Sequence, residues 1–545
     1  MQRRNGMKKE NSMVKAGVVL VVSGFIVKLL SALYRIPLTR MLGAAQMGRY
    51  SAVFSFFMPF FSFATAGIIP CISHFTAKLN GTHGSRETAR LYRTAVRLYI
   101  TMSAVACAAF VTAGWYYSQR TADSLFFAGT LILAPNIIFA ASENISKGLT
   151  QGRMNMMPTA TANVMESVFK TSAGLAAVYF VKNKMEHTDA DLPVKAALLT
   201  VTAAGLICCA YLLWAVSAGE NNTAAEREEK IRKGFRHTVT AGDMYRMSFP
   251  VAVSALTISL VGFFDTAVCL PRISQIPYQQ IVASFDGASF KNAQDMPMYL
   301  LGIYQGMVLS VFNLLPAVLG SVGSAVLPVI SRAFSRGDVQ GADERLDSVF
   351  RFTSAVSVPL TVYIFIFRRD ILSFLFATSG AQTVVSSQLL AILMLSGVFC
   401  CFTSVFNSAL YAVGKSDTVF AILVAASAAR CTINYILCGI PQINIKAFAV
   451  SASAFYTIIF ILSVRSIRSK GINFRFGRTF FLPCVSAVTA GVSICAVSNR
   501  MLCYLPLFPK LFFSSAIYGL IYILVMIISG FRLISPPEKS KIYKE

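Results

Sequence analysis

Long apolar runs separated by short polar segments recur along the whole chain of 545 residues. As a helix, about 20 apolar residues cross the roughly 30 Å hydrocarbon core of a bilayer. Runs of that length predict fourteen spans, with approximate limits 14–34, 50–72, 95–117, 124–146, 156–181, 193–217, 246–269, 298–330, 350–367, 384–410, 418–440, 446–464, 479–499 and 511–531. The eighth is too long for one straight crossing and predicts a tilted or broken helix. The opening segment, "MQRRNGMKKENSMVKAGVVLVVSGFIVKLLSALY", has the outline of a signal peptide. Its apolar part runs about 20 residues and no small-x-small cleavage site follows, which predicts an uncleaved first span.

The segments between spans give the orientation. With a cytoplasmic N-terminus, and counting residues at the span ends, the inside segments carry 32 Lys/Arg and the outside segments 14. That asymmetry follows the positive-inside rule, and an even number of spans returns the C-terminus to the cytoplasm. The chain also repeats itself. "GIIPCISHFTAKLNG" after span two resembles "AVLPVISRAFSRGD" after span eight, with Pro70 and Ser73 matching Pro328 and Ser331. "QGRM" before span five matches "VGKS" before span eleven. A repeat of six spans keeps its orientation, so its halves relate by an axis along the membrane normal. The expected architecture is all-α and integral to the membrane: two six-helix lobes around a central cavity, plus two C-terminal helices. The expected divisions are a tail over 1–13, an N-lobe over 14–217, a basic linker over 218–245, and a C-lobe over 246–464. A basic loop over 465–478, two helices over 479–531 and a tail over 532–545 complete the chain.

Composition supports a membrane protein. Hydrophobic residues make up 55% of the chain and charged residues 13%, about half the share usual in soluble domains. The net charge of +25 does not point to nucleic acid, because the basic residues are spread through short loops along the whole chain. Twelve cysteines include the adjacent pairs Cys208-Cys209 and Cys400-Cys401 within apolar runs, and no CxxC occurs. Neither a disulfide framework nor a metal site is indicated, and no cofactor is expected. The four histidines (His74, His83, His187, His237) fall at span ends or in loops, away from any intramembrane proton relay.

Three basic residues fall inside the predicted spans: Lys28, Lys170 and Arg430. An ionisable side chain at that depth costs roughly 2.5–3.5 kcal/mol at a helix centre and marks a candidate functional position. In span five, Thr159, Asn163, Glu166 and Lys170 are spaced 4, 3, 4 and share one helix face. Span one repeats that spacing with Gly24, Lys28, Ser31 and Arg35, and span eleven offers Ser427, Arg430 and Asn434. Polar stripes on apolar helices turn toward a hydrated interior. Structural readings stand beside the functional ones. The Lys28 stem can snorkel to the headgroups, and Glu166 and Lys170 can neutralise each other at i, i+4. Arg35 and Arg40 can be interfacial anchors, Asp265 can sit at headgroup level, and Glu143 near the end of span four is a weaker candidate. A functional cavity with Lys28, Arg35, Lys170 and Arg430 set against Glu166 and Asp265 favours an anionic cargo. Guanidinium groups suit phosphate because they bind it in a bidentate way.

These residues also carry a resemblance. "YRIPLTRMLGAAQMGRY", "TAGIIPCIS", "GLTQGRM" leading to "ESVFK", "FFDTAV" and "LLGIYQGMVLSVFNLLPAVLGSVGSAVLPVIS" resemble the polysaccharide-biosynthesis branch of the multidrug/oligosaccharidyl-lipid/polysaccharide exporter superfamily, and within it a sporulation group. The likeness covers roughly residues 13–465. It implies a fourteen-helix flippase in the bacterial cell membrane that carries an undecaprenyl-linked sugar outward by alternating access, for peptidoglycan, spore cortex or surface polysaccharide. It implies no enzyme. By position, Arg35, Arg40, Lys170, Arg430 and Asn434 would contact the substrate, and Glu166 and Asp265 would be coupling candidates for Na+ or H+; the polar stripes of spans one and five add Lys28 and Asn163 to the substrate contacts. The partners implied are an anionic lipid-linked glycan precursor and the membrane lipids. Lys170 stands where the family often has arginine. The nearest rival is a drug/cation antiporter of the same superfamily, which predicts an acid-rich cavity. A glycosyltransferase would want paired acids beside a large outer loop, and the outer loop over 270–297 holds only Asp286 and Asp295. A non-transporting scaffold would tolerate the loss of Arg430.

Overall fold

The computed structural model describes residues 2–80, 85–121, 123–185, 191–224, 240–285, 296–317, 319, 339–378, 380–469, 476–498, 500 and 504–530. Among them there is helix and no strand. Within the described residues twelve helices are long and apolar enough to cross a membrane, or thirteen when the pair Ala381–Met394 and Gly397–Ala412, bent by 46°, makes one span. The first of the twelve, Val22–Leu79, runs 58 residues and takes in the first two spans expected from the sequence, so the count falls below fourteen. The tenth expected span, 384–410, is that bent pair. Contacts divide the chain into two compact units, Met1–Pro271 and Arg272–Glu545.

The first unit holds α1 (Gln2–Thr65), α2 (Ile68–Asn80), α3 (Ser85–Thr121), α4 (Ser124–Gly152), α5 (Met157–Met185), α6 (Leu192–Ala224) and α7 (Ala241–Phe264). At 1.5 Å per residue α1 is about three times longer than one crossing needs. Its backbone leaves the helical region at Gly43 (φ 78°, ψ 172°), so two helices meet there. The sequence put the end of span one at residue 34; instead the helix runs on through Arg35, Pro37 and Arg40 to this break. Backbone groups at membrane depth need internal partners, which favours continuing the helix over opening a loop. The break frees carbonyls, and Lys182 of α5 donates to that of Met41 at 2.8 Å. Beyond it Arg49 pairs with Asp191 at 2.6 Å, and Gln46 donates to the same carboxylate at 3.3 Å. Arg49 therefore ties the broken helix to the entry of α6.

The core of this unit joins α2, α3, α4, α6 and α7 through Ile68, Ile72, Leu91, Tyr99, Ile145 and Met244. Asp123 caps α4 by accepting from the amides of Leu125 (3.0 Å) and Phe126 (3.4 Å). Thr240 and Asp243 form a capping box on α7. The divide at Pro271 lies beyond α7, which packs on α1, α2 and α3; the expected boundary lay in the linker before it. Gly67 makes the α2–α7 contact possible. Its φ is +84°, and a Cβ there would lie 2.5 Å from the carbonyl oxygen of Ser248. Gly67→Ala is expected to cost about 1–2 kcal/mol for the left-handed backbone alone, and more for displacing α7. A lowered thermal midpoint in detergent checks this.

The second unit contains α8 (Leu270–Ser274, its start shared with the boundary), α9 (Tyr278–Ala283), α10 (Met296–Gly302) and α11 (Leu309–Phe312). A π-helical segment, Ile303–Val308, joins the last two. The described part of the eighth span, Met296–Ala317, is one candidate crossing, and its remainder, with Pro328 and Ser331 of the repeat, lies outside the described residues. There follow α12 (Val339–Ile366), α13 (Arg368–Phe376), α14 (Ala381–Met394), α15 (Gly397–Ala412), α16 (Ser416–Cys438), α17 (Lys446–Arg468), α18 (Phe476–Val497) and α19 (Leu507–Ile528). Phe350, Phe402, Phe406 and Phe460 centre one core. A second core fixes the two terminal helices to α12 through Val358, Ala490, Tyr518 and Tyr522. Pro359 has no amide hydrogen to give the carbonyl of Ala355. The Tyr522 hydroxyl donates to that carbonyl instead, at 2.9 Å. Tyr522→Phe should orphan it and cost about 1 kcal/mol, and adding Pro359→Ala should recover the loss, as read from a double-mutant cycle of thermal midpoints.

Candidate functional site: buried charges of each unit

The polar stripe of α5 faces protein along its length. Thr159 meets Thr150 of α4 at 3.2 Å. Asn163 accepts a hydrogen bond from the Lys147 ammonium at 2.6 Å. Lys147 is also ion-paired with Glu143 one turn back on α4, the two side chains only 8% and 7% exposed. Glu166 comes next, and the carboxylate oxygens of Glu143 and Glu166 and the Cys208 sulfur of α6 all lie within 4.8 Å of one another. One turn further, Lys170 turns its ammonium toward aromatic faces of α1, 5.6 Å from the Tyr34 ring and 5.5 Å from that of Phe54. Both lie within the reach of a cation–π attraction. Arg35 shares this neighbourhood and interacts electrostatically with Lys170 and with the hydroxyls of Tyr34 and Tyr50.

Three cations (Arg35, Lys147, Lys170) and two carboxylates (Glu143, Glu166) therefore gather on α1, α4 and α5, leaving one positive charge in excess. Such groups pair with one another and face the bundle interior rather than lipid. Lys28 and Arg40, expected beside Arg35, are exposed on α1. Asp265 is 3% exposed, and it opens a π-helical segment, Asp265–Cys269. Insertions of this kind are frequent at functional sites.

In the second unit α16 carries the corresponding residues. Ser427 and Asn434 are buried, and the Arg430 guanidinium lies 5.9 Å from the ring of Phe455 on α17. Tyr456 interacts electrostatically with Arg430 and is hydrogen-bonded with Cys400. One helix in each unit thus holds a cation against an aromatic face: Lys170 on α5 and Arg430 on α16.

The sequence reading missed Lys147. It placed the end of span four at 146 and counted Lys147 among the basic residues of an inner loop, but α4 continues to Gly152. The signal was present: Glu143-x-x-x-Lys147 has the same spacing as Glu166-x-x-x-Lys170. Cys208, by contrast, had no marker tying it to these residues, because its partners come from other helices. Asp286 and Asp295 lie outside the described residues.

Residues 13–334 match the family described as Polysaccharide biosynthesis protein, and residues 305–436 match that described as MatE. Stage V sporulation protein B of Bacillus subtilis (strain 168) is 19% identical over 387 residues, 69% of each chain. Lipid II flippase MurJ of the same organism is 20% identical over 400 residues, 70% of this chain and 69% of its own. A solved structure of lipid II flippase MurJ in an inward closed conformation superposes with a TM-score of 0.66 at 14% identity, over 94% of this chain and 98% of its own. An inward-facing multidrug resistance MATE family transporter of the MOP superfamily gives 0.59 at 12% identity, over 83% of this chain and 98% of its own. At these identities the structures show a shared fold. With that fold, its many crossings and a match over more than half its length, the chain is a multi-pass membrane protein belonging to the polysaccharide biosynthesis protein family.

Proposed function

We propose that this protein is a flippase for an anionic, lipid-linked sugar precursor in a bacterial cell membrane. It carries an undecaprenyl-linked headgroup outward by alternating access, for peptidoglycan, spore cortex or surface polysaccharide. The observation that carries this reading is the positive excess at membrane depth: Arg35 and Lys170 in one unit, Arg430 in the other. Moving each unpaired polar group of a sugar headgroup into hydrocarbon costs roughly 4–8 kcal/mol on alkane-like scales. A headgroup with several hydroxyls and a phosphate needs a charged, wetted path. The inside-negative potential drives a negative headgroup outward by about 2.3 kcal/mol per charge per 100 mV. The lipid II flippase among the relatives supports the cargo class.

In this reading Arg35 and Lys170 of the first unit, and Arg430 of the second, are each phosphate contacts, with Asn163 and Asn434 positioning them and Lys28 and Arg40 attracting the headgroup. Glu166 and Asp265 are the coupling candidates, for a proton or Na+. This reading takes fourteen crossings, with Val22–Leu79 counted as two on either side of Gly43, and places both termini in the cytoplasm. The protein makes and breaks no bond; it is a transporter. The MatE match over 305–436 supports a drug/cation antiporter as the second reading, against which stands the basic balance of the buried charges. Depletion in a bacterium that carries the protein tests the choice. A flippase leaves a lipid-linked sugar accumulating on the cytoplasmic leaflet, and its structure names the cargo. An antiporter leaves lipid intermediates unchanged.

A further inference from the structure

Phosphate recognition by Arg35 and Lys170 leaves Lys147 without a task, although it is the most deeply enclosed of the three cations near Glu166. Its ammonium pairs with Glu143, donates to the Asn163 side-chain oxygen at 2.6 Å and interacts electrostatically with Glu166. The two carboxylates and the Cys208 sulfur close around the same place, within 4.8 Å of one another. Three helices supply these donors: α4, α5 and α6. Two carboxylates, an amide oxygen and a thiol form a donor set that borderline divalent ions accept.

We infer that Lys147 is a tethered counter-ion: its ammonium holds the place of an inorganic cation among Glu143, Asn163, Glu166 and Cys208. In the native chain this cluster takes no metal ion, and coupling through Glu166 is left to the proton. Removing the ammonium turns the cluster into a divalent-cation site. On binding, the Cys208 thiol gives its proton to the buffer and the thiolate becomes a ligand. The inference concerns the carboxylates and not the cargo, so its failure would leave the flippase reading standing.

Cobalt(II) titration of the purified full-length protein tests it, because a thiolate ligand adds a charge-transfer absorption. Lys147→Met and Lys147→Gln should each show that absorption, saturating at one cobalt per chain. Lys147→Met/Cys208→Ser should not show it. The unsubstituted protein and Lys147→Arg should show none under the same conditions. Should Lys147→Met fail to fold, Lys147→Gln, which keeps a hydrogen-bonding group in place, carries the test. The inference is overturned if the unsubstituted protein gives the same Cys208-dependent absorption. It is equally overturned if the folded charge-removing variants give none.

Discussion

Arg430→Ala is expected to yield a folded, membrane-inserted protein that has lost most of its transport. A hydrogen bond to a charged group contributes about 1.5–3 kcal/mol, so losing the phosphate contact should slow flipping about 10- to 100-fold. Folding should survive because Val419, Ile422 and Ala426 of α16 pack with Phe455, Ile459 and Phe460 of α17 in the core of the second unit, without the guanidinium. Arg430→Lys keeps the charge and loses the bidentate fork, so it should fall between the two. Complementation of a depleted strain, run beside size-exclusion profiles of the tagged variants, reads both quantities. Normal growth on Arg430→Ala would favour a scaffold role over transport.

The second large effect is on stability. Lys147→Met leaves the Glu143 carboxylate enclosed without its cation, which should cost about 3–5 kcal/mol. Lys147→Met/Glu143→Gln removes both charges and should recover most of the loss, because a neutral pair no longer has an ion to desolvate. Glu143→Gln alone strands the ammonium and should be destabilising too, partly relieved by Glu166 nearby. Thermal midpoints of the four proteins form the cycle. Additive effects would mean that the pair contributes nothing as a pair.

Much of the helical scaffold was legible because 20-residue apolar windows leave little room for another fold in lipid. Where the chain stays helical without staying apolar, windows end too early. That left Arg35 and Arg40 at the edge of span one rather than inside α1, and hid Lys147 inside α4. The break at Gly43 was illegible because "RMLGAAQMG" reads equally as helix or loop, and its stabilising partners, Lys182 and Asp191, are about 140 residues away. The α5 stripe was readable from its own spacing, since one helix fixes which residues share a face. Which helices it meets depends on packing, so the grouping of Glu143, Lys147 and Cys208 with that stripe emerged only in three dimensions. The π-helical insertion at Asp265 has no periodic signature in the sequence.

The chemical basis of the account is phosphate recognition by cations held at membrane depth. Its most direct test is binding in nanodiscs of an undecaprenyl-pyrophosphate-linked sugar against the same chain length as an uncharged polyprenol-linked sugar. The unsubstituted protein should prefer the charged lipid at least tenfold, and Arg35→Ala/Lys170→Met should lose about 1.4 kcal/mol or more of that preference. Equal affinity for both lipids, or a preference untouched by removing the two cations, would contradict it.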